Sequence, residues 1–95
     1  MITRIVKMQI KDTEIENFVS LVKTIRNKIL SSEGCTQVNI LEDKQNPSTF
    51  FSYSLWNSEQ DLENYRNSEL FKGVWSEAKA LFSEPAQAWS VQDAF

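Results

Sequence analysis

Apolar and polar residues alternate from Ile2 to Ile10, a period of two that predicts a β-strand. Ile2, Val6, Met8 and Ile10 take one side with Arg4 among them, and Thr3, Ile5, Lys7 and Gln9 take the other. Each side carries apolar residues, so each is expected to be covered. Lys11-Asp12-Thr13 breaks the pattern, and Thr13 with Glu16 has the spacing of a capping box. The period then becomes helical: Ile15, Phe18, Val19, Val22, Ile25 and Ile29 form one stripe. Acidic residues come early and basic ones late along it, as the helix dipole favours. Gly34 stands where a left-handed residue just past the helix end is expected.

A second strand is predicted from Cys35 to Asp43, with Thr36, Val38 and Ile40 on one face and Cys35, Gln37, Asn39 and Leu41 on the other. Residues 44–48 supply a turn with Asn46-Pro47 as the breaker. Thr49 to Trp56 is rich in β-formers. One face carries Phe50, Ser52, Ser54 and Trp56, the other Phe51, Tyr53 and Leu55; a bulge in the strand would exchange these roles. Ser58 with Asp61 predicts a second helix start. Leu62 and Tyr65 form its apolar side, and Ser68 offers a second cap after an interruption at Asn67. Leu70, Phe71, Val74, Trp75, Ala78, Leu81 and Phe82 continue at helical spacing, Gly73 lies inside that run, and Pro85 is the stop. Ala86 to Val91 reads as a short last strand with Gln87, Trp89 and Val91 on one face.

The predicted order, βαββαβ, is that of a ferredoxin-like α+β fold with a four-stranded antiparallel sheet and helices on one face, in one domain spanning residues 1–95. The free sheet face would expose Phe51, Tyr53 and Leu55, and an apolar patch of that kind marks an interface. A homodimer pairing sheet against sheet is the simplest cover.

Composition narrows the chemistry. Aromatic residues are 12% of the chain and three are Trp, which suggests a pocket or interface beyond the core. A net charge of −3 argues against nucleic acid and against an anionic membrane surface as partners. No apolar run approaches the ~20 residues of a spanning helix, Met1-Ile2-Thr3-Arg4 leads straight into a strand with no leader pattern, and one Cys cannot form an internal disulfide. A cytoplasmic protein is the expectation. There is no His. That removes imidazole-based nucleophile schemes, the usual zinc ligands and an axial haem ligand.

Glu33-Gly34-Cys35, Leu41-Glu42-Asp43, Asn46-Pro47 and Thr49-Phe50-Phe51, followed by Trp56-Asn57-Ser58, Leu62, Tyr65, Ser68 and Phe71, resemble the antibiotic biosynthesis monooxygenase domains. The resemblance implies a dimeric α+β barrel. It also implies a reaction in which a quinol or aromatic polyketide is oxidised by O₂ without metal or flavin, so no cofactor is expected. It aligns Trp56 with a pocket-lining Trp. Many such domains carry Glu where this chain has Ser54, and His where it has Tyr65 and Leu70. The haem-degrading relatives rely on a His ligand that this chain lacks.

Two large aromatics flank two small hydroxyls on the face Phe50, Ser52, Ser54, Trp56. If that face meets the helices, the serines leave room that Trp75, Phe71 and Tyr65 could enclose, giving a pocket for a small apolar or aromatic molecule; alternatively Trp75 simply fills the gap. Substrate contacts are therefore expected from Trp56, Trp75, Phe71, Phe50, Ser52, Ser54 and Asn39, with Tyr65 and Tyr53 as the candidates for proton relay. Cys35 has no base or cation cluster in sequence to activate it, and the carboxylate pairs lie in turns or on solvated helix faces. Two functions stay open: a cofactor-independent monooxygenase, or a non-catalytic ligand-binding or accessory protein on the same fold.

Overall fold

The computed structural model describes residues 1–95. The elements run β1 (Ile2–Gln9), a short 3₁₀ turn (Asp12–Glu14), α1 (Ile15–Leu30), β2 (Cys35–Glu42), β3 (Thr49–Trp56), α2 (Glu59–Arg66), α3 (Glu69–Lys79) and β4 (Gln87–Val91). The four strands make one antiparallel sheet in the order β2-β3-β1-β4. This is the ferredoxin-like arrangement that the alternation predicts, with its second helix in two pieces.

Register assigns the faces, because directly opposed residues share one. Ile2, Arg4, Val6 and Met8 pair with Trp56, Ser54, Ser52 and Phe50, and these residues meet the helices. Thr3, Ile5 and Lys7 pair with Leu55, Tyr53 and Phe51 on the far side, where Asn39, Leu41 and Trp89 also lie. β3 runs straight, so the alternation of its residues holds. The irregularity is in β2. Its register shifts between Cys35 and Gln37, and the extra residue turns Cys35 to the helix side opposite Trp56. The sequence pattern had put Cys35 on the face of Gln37 and Asn39.

Three chain reversals differ from their sequence signals. Thr13 and Glu16 form no capping box; α1 starts one residue later, from Glu14, with no side-chain cap. The Asp12 carboxylate instead accepts a hydrogen bond from the Ser48 hydroxyl, so the entry turn is tied to the β2–β3 hairpin. Gly34 does take a positive φ of 82°, but the helix has already ended at Leu30. Gly34 is the third residue of a turn closed by the Cys35 amide on the Ser32 carbonyl (3.1 Å), a position that needs positive φ in a type II turn. A Cβ there would strike the Asp61 side chain. α3 stops at Lys79, well before Pro85. Residues 81–83 leave the helix to bond the end of β1: Lys11 N–H donates to Leu81 O (2.9 Å) and Ser83 N–H to Gln9 O (2.9 Å). The later caps form as expected, with Ser58 Oγ accepting from Asp61 N–H and Ser68 Oγ from Phe71 N–H, each at 3.1 Å.

Gly73 has no atom within 4 Å of an added Cβ and sits exposed in α3, so neither sheet nor helix requires it. Gly73→Ala is expected to raise stability by about 0.5–1 kcal/mol, since Ala loses less entropy in a helix. Urea unfolding checks this; no gain would mean that the helix is strained there.

All the buried apolar residues but Val38 fall into two clusters. Met8, Ile10, Phe18, Phe50, Ala78 and Phe82 form the larger, and Ile2, Trp56 and Leu62 the smaller. They lie toward opposite ends of the inner sheet face. On the outer face no helix packs, and Leu41, Trp89 and Val91 stand 48%, 46% and 43% exposed.

Candidate functional site

Between the two clusters the helices and sheet do not close. A cavity of about 380 Å³ separates them. Its floor is low because β3 presents Ser52 and Ser54 and the last strand presents Ala88, all small. α1 supplies aliphatic residues such as Leu21, Val22 and Ile25, and α3 supplies Phe71, Val74 and Trp75. Tyr65 and Arg66 from α2, with Arg4 from β1, add its polar edge. The serine hydroxyls are too short to reach the helices, and Trp75 stands at the wall instead of filling the space.

A continuous line of rings supports that wall. Trp56 stacks on Tyr65 (centroids 4.9 Å apart, planes 29°), Tyr65 meets Phe71 edge-on (5.2 Å, 76°), Phe71 stacks on Trp75 (5.9 Å, 11°), and Trp75 meets Phe82 edge-on (5.6 Å, 77°). The break between α2 and α3 makes this geometry possible. Ser68 caps α3 and also donates to the Tyr65 carbonyl (2.6 Å), so the chain turns between Tyr65 and Phe71 and both rings reach the same space.

The polar groups of the cavity are sparsely used by the protein. Trp56 Nε1 donates to Ser54 Oγ (2.9 Å), which leaves the Ser54 proton free to donate elsewhere. Arg4 gives one hydrogen bond, to Ser90 Oγ at 2.9 Å. Arg66 pairs with Glu63 at 3.5 Å on the exposed side of α2. Neither Ser52 nor the Tyr65 hydroxyl bonds to another protein group, and no fully buried polar side-chain atom is left without a partner, so both hydroxyls keep some exposure; both residues line the cavity. Burial, with a smaller contribution from the Cys35 thiol, pushes the Tyr65 hydroxyl up to about 12. It is a neutral donor throughout the physiological range. Burial also pushes the Cys35 thiol up, against a smaller opposing effect of the Gln37 backbone, which makes Cys35 a poor nucleophile. Nowhere do three His, Cys, Asp or Glu side chains converge as a metal site would need.

The Tyr65 shift has a testable sign. The folded chain holds this proton more tightly than the unfolded chain, whose tyrosine ionises near 10. The associated stability is complete below about pH 10 and is lost as pH rises toward 12, by roughly 2 kcal/mol. Urea unfolding from pH 9 to 12 should show that loss, and Tyr65→Phe should flatten it. Parallel pH profiles for the two proteins would mean that Tyr65 ionises as freely as in the unfolded chain.

Of the residues expected at the site, Trp75, Phe71, Ser52, Ser54 and Tyr65 line the cavity. Four do not. Trp56 is 0% exposed and lies behind Tyr65 and Ser54, in the smaller core cluster. Phe50 is on the predicted face but packs against Phe18 at a 4.9 Å ring separation, in the larger cluster. Tyr53 and Asn39 oppose each other on the outer face, so the sheet itself separates them from the cavity. Arg4 and Arg66 line it and were not anticipated. The signal for Arg4 was present: a charged residue on the otherwise apolar side of β1. Nothing in the sequence distinguished Arg66 from other bases on solvated helix faces.

The sequence profile of the family described as "Antibiotic biosynthesis monooxygenase" matches residues 1–74. The chain belongs to that family. The matched part runs from β1 into α3 and includes Arg4, Ser52, Ser54, Tyr65 and Phe71; Trp75 and β4 lie beyond it. No curated protein sequence matches the chain closely enough to count as a relative. Solved structures match its fold over nearly their whole length. A conserved protein from Methanosarcina mazei Go1 is 22% identical, with 97% of this chain and 92% of that one covered and a TM-score of 0.90. A structure described as an antibiotic biosynthesis monooxygenase is 17% identical, with 99% of each chain covered and a TM-score of 0.91. A Mycobacterium tuberculosis protein is 12% identical, with 99% and 95% covered and a TM-score of 0.89. At such identities the structural likeness speaks for architecture alone. As for membranes, no helix is long and apolar enough to cross one.

Proposed function

We propose that this family member is a cofactor-independent monooxygenase of a small aromatic or quinol-type molecule, bound between the sheet and the helices. The cavity is the observation that carries this reading. An opening of about 380 Å³ lined mainly by apolar side chains falls within the roughly 300–1,000 Å³ of small-molecule sites. Stacked rings and a few unpaired hydroxyls give it the character of a small-molecule site.

In such a reaction the deprotonated substrate passes one electron to O₂, and the two radicals join at a substrate carbon. Loss of water then leaves a carbonyl. For a methylene carbon, R₂CH₂ and O₂ give R₂C=O and H₂O, one oxygen atom entering each product. The chain's part is to exclude water, orient the ring against Phe71 and Trp75, and donate hydrogen bonds from Tyr65 and Ser52 to the oxygen that becomes anionic. A second reading, binding without turnover, is favoured by one specific feature: no Asp, Glu or His lines the cavity to take the substrate proton.

Oxygen uptake with a panel of hydroquinones and anthrones separates the two. Monooxygenase activity predicts uptake with at least one compound, reduced about tenfold in Tyr65→Phe through loss of one hydrogen bond to a charged oxygen. Saturable binding with no uptake across the panel would establish the second reading. The proposal also includes a homodimer through the outer sheet face, supported by the uncovered Leu41, Trp89 and Val91.

A further inference from the structure

We propose that the cavity selects an oxyanion: its ligand is an apolar, ring-sized molecule bearing one carboxylate or phenolate, and Arg4 binds that group. The inference deepens the oxygenase reading and rests on the same cavity, but it does not require turnover.

The polar side chains that line the cavity are Arg4, Arg66, Tyr65, Ser52 and Ser54. Two are cations and three are hydroxyls, and no carboxylate is among them. The whole chain carries a net charge of −3, whereas every charged side chain in the lining is a cation. A neutral hydrocarbon ligand would need no such groups, and a cationic ligand would be repelled. An oxyanion matches them, because each can donate a hydrogen bond to it.

Arg4 is the principal contact for three reasons. It is held on the inner face of β1 between the apolar neighbours Ile2 and Val6, in a strand paired on both sides. A guanidinium has five N–H donors; the protein uses one at 2.9 Å, on the neutral Ser90 hydroxyl, and gives Arg4 no ion pair. Burial and then the like charge of Arg66 lower its affinity for its proton, with Glu63 opposing them. Glu63 is committed to Arg66 at 3.5 Å on the exposed side of α2 and does not line the cavity. Two cations share one partly dry space, the one carboxylate that acts on them, Glu63, lies outside its lining, and a bound anion relieves the repulsion that remains.

The arrangement also answers the missing base. An acid group held against Arg4 loses its proton more readily, so ionisation needs no carboxylate or imidazole from the chain. The proton leaves to solvent, and the guanidinium keeps the charge that results.

The test is equilibrium binding under nitrogen, followed by tryptophan fluorescence, of 2-naphthoate against the neutral 2-naphthylmethanol. The wild-type protein should bind the carboxylate at least about tenfold more tightly, the worth of one charge-assisted contact. In Arg4→Gln the ratio should fall to near one, with affinity for the alcohol within about twofold of wild type. Arg4→Lys should restore part of the preference. A third probe, 4-nitrophenol above and below its own ionisation, distinguishes the sources: tighter binding of the ionised form extends the site to phenolates, and no change restricts it to carboxylates. Equal affinities for naphthoate and alcohol in the wild type overturn the inference, and that comparison does not depend on any variant folding. An unchanged ratio in Arg4→Gln overturns the role of Arg4. A charge preference without oxygen uptake removes the monooxygenase reading and leaves this one standing. Uptake without a charge preference does the reverse.

Discussion

Trp56→Ala is expected to destabilise the protein by about 3–5 kcal/mol, the range for truncating a buried large aromatic side chain. The side chain is fully buried, packs with Ile2 and Leu62, stacks on Tyr65 at 4.9 Å and holds the Ser54 hydroxyl at 2.9 Å. Removing it hollows the smaller of two clusters in a protein whose core is already divided. A domain of this kind has only roughly 5–15 kcal/mol to lose, so the urea midpoint should fall by a large fraction and ligand binding should weaken as Tyr65 loses its support. Trp75→Ala provides the contrast. Trp75 is only partly buried and stands at the cavity wall, so its truncation should cost less stability and proportionately more affinity. Equal losses of stability in the two variants would contradict the placement of Trp56 behind the site.

A charge at the centre of the outer face should have the second large effect. Tyr53 sits in a row with Ile5, Asn39 and Trp89 across all four strands. If two sheets meet there, Tyr53→Glu buries an uncompensated carboxylate in each subunit. Such a group costs about 3–5 kcal/mol, which weakens association by more than about a hundredfold. Sedimentation equilibrium should show a wild-type dimer at micromolar concentration and a folded monomer for the variant. A monomeric wild type would remove the dimer from the account and leave the cavity untouched. Tyr53→Phe should keep the wild-type rate of oxygen uptake, because the sheet lies between Tyr53 and the cavity.

The residues were unequally legible, for physical reasons. β3 could be read in full because it is regular: Phe50, Ser52, Ser54 and Trp56 share the helix side. The small serines between large rings gave a true indication of space. β2 could not be read so well, because the single extra residue between Cys35 and Gln37 leaves no mark in an alternation of small and polar residues. Thr13-Glu16 had a capping spacing, but the Asp12–Ser48 hydrogen bond held the chain in a 3₁₀ turn first, and a tertiary contact of that range is invisible in a local pattern. Trp56 was placed on the correct face and one layer too far forward, since alternation fixes direction and says nothing of what Tyr65 will stack against. Asn39 and Tyr53 have the hydrogen-bonding capacity that a site needs, but their strands point them outward. Arg4 is the opposite case: its strand points it inward among apolar residues, and alternation alone does not say that a cation there meets a cavity.

The most direct test of the central claim, that the space between sheet and helices is the ligand site, is to map chemical shifts by heteronuclear NMR as 2-naphthoate is added. Saturable shifts at Arg4, Ser52, Ser54, Tyr65 and the Trp75 indole are predicted, with Tyr53, Asn39 and the Trp89 indole undisturbed. Shifts confined to Tyr53, Asn39 and Trp89, or none at any ligand concentration, would contradict it.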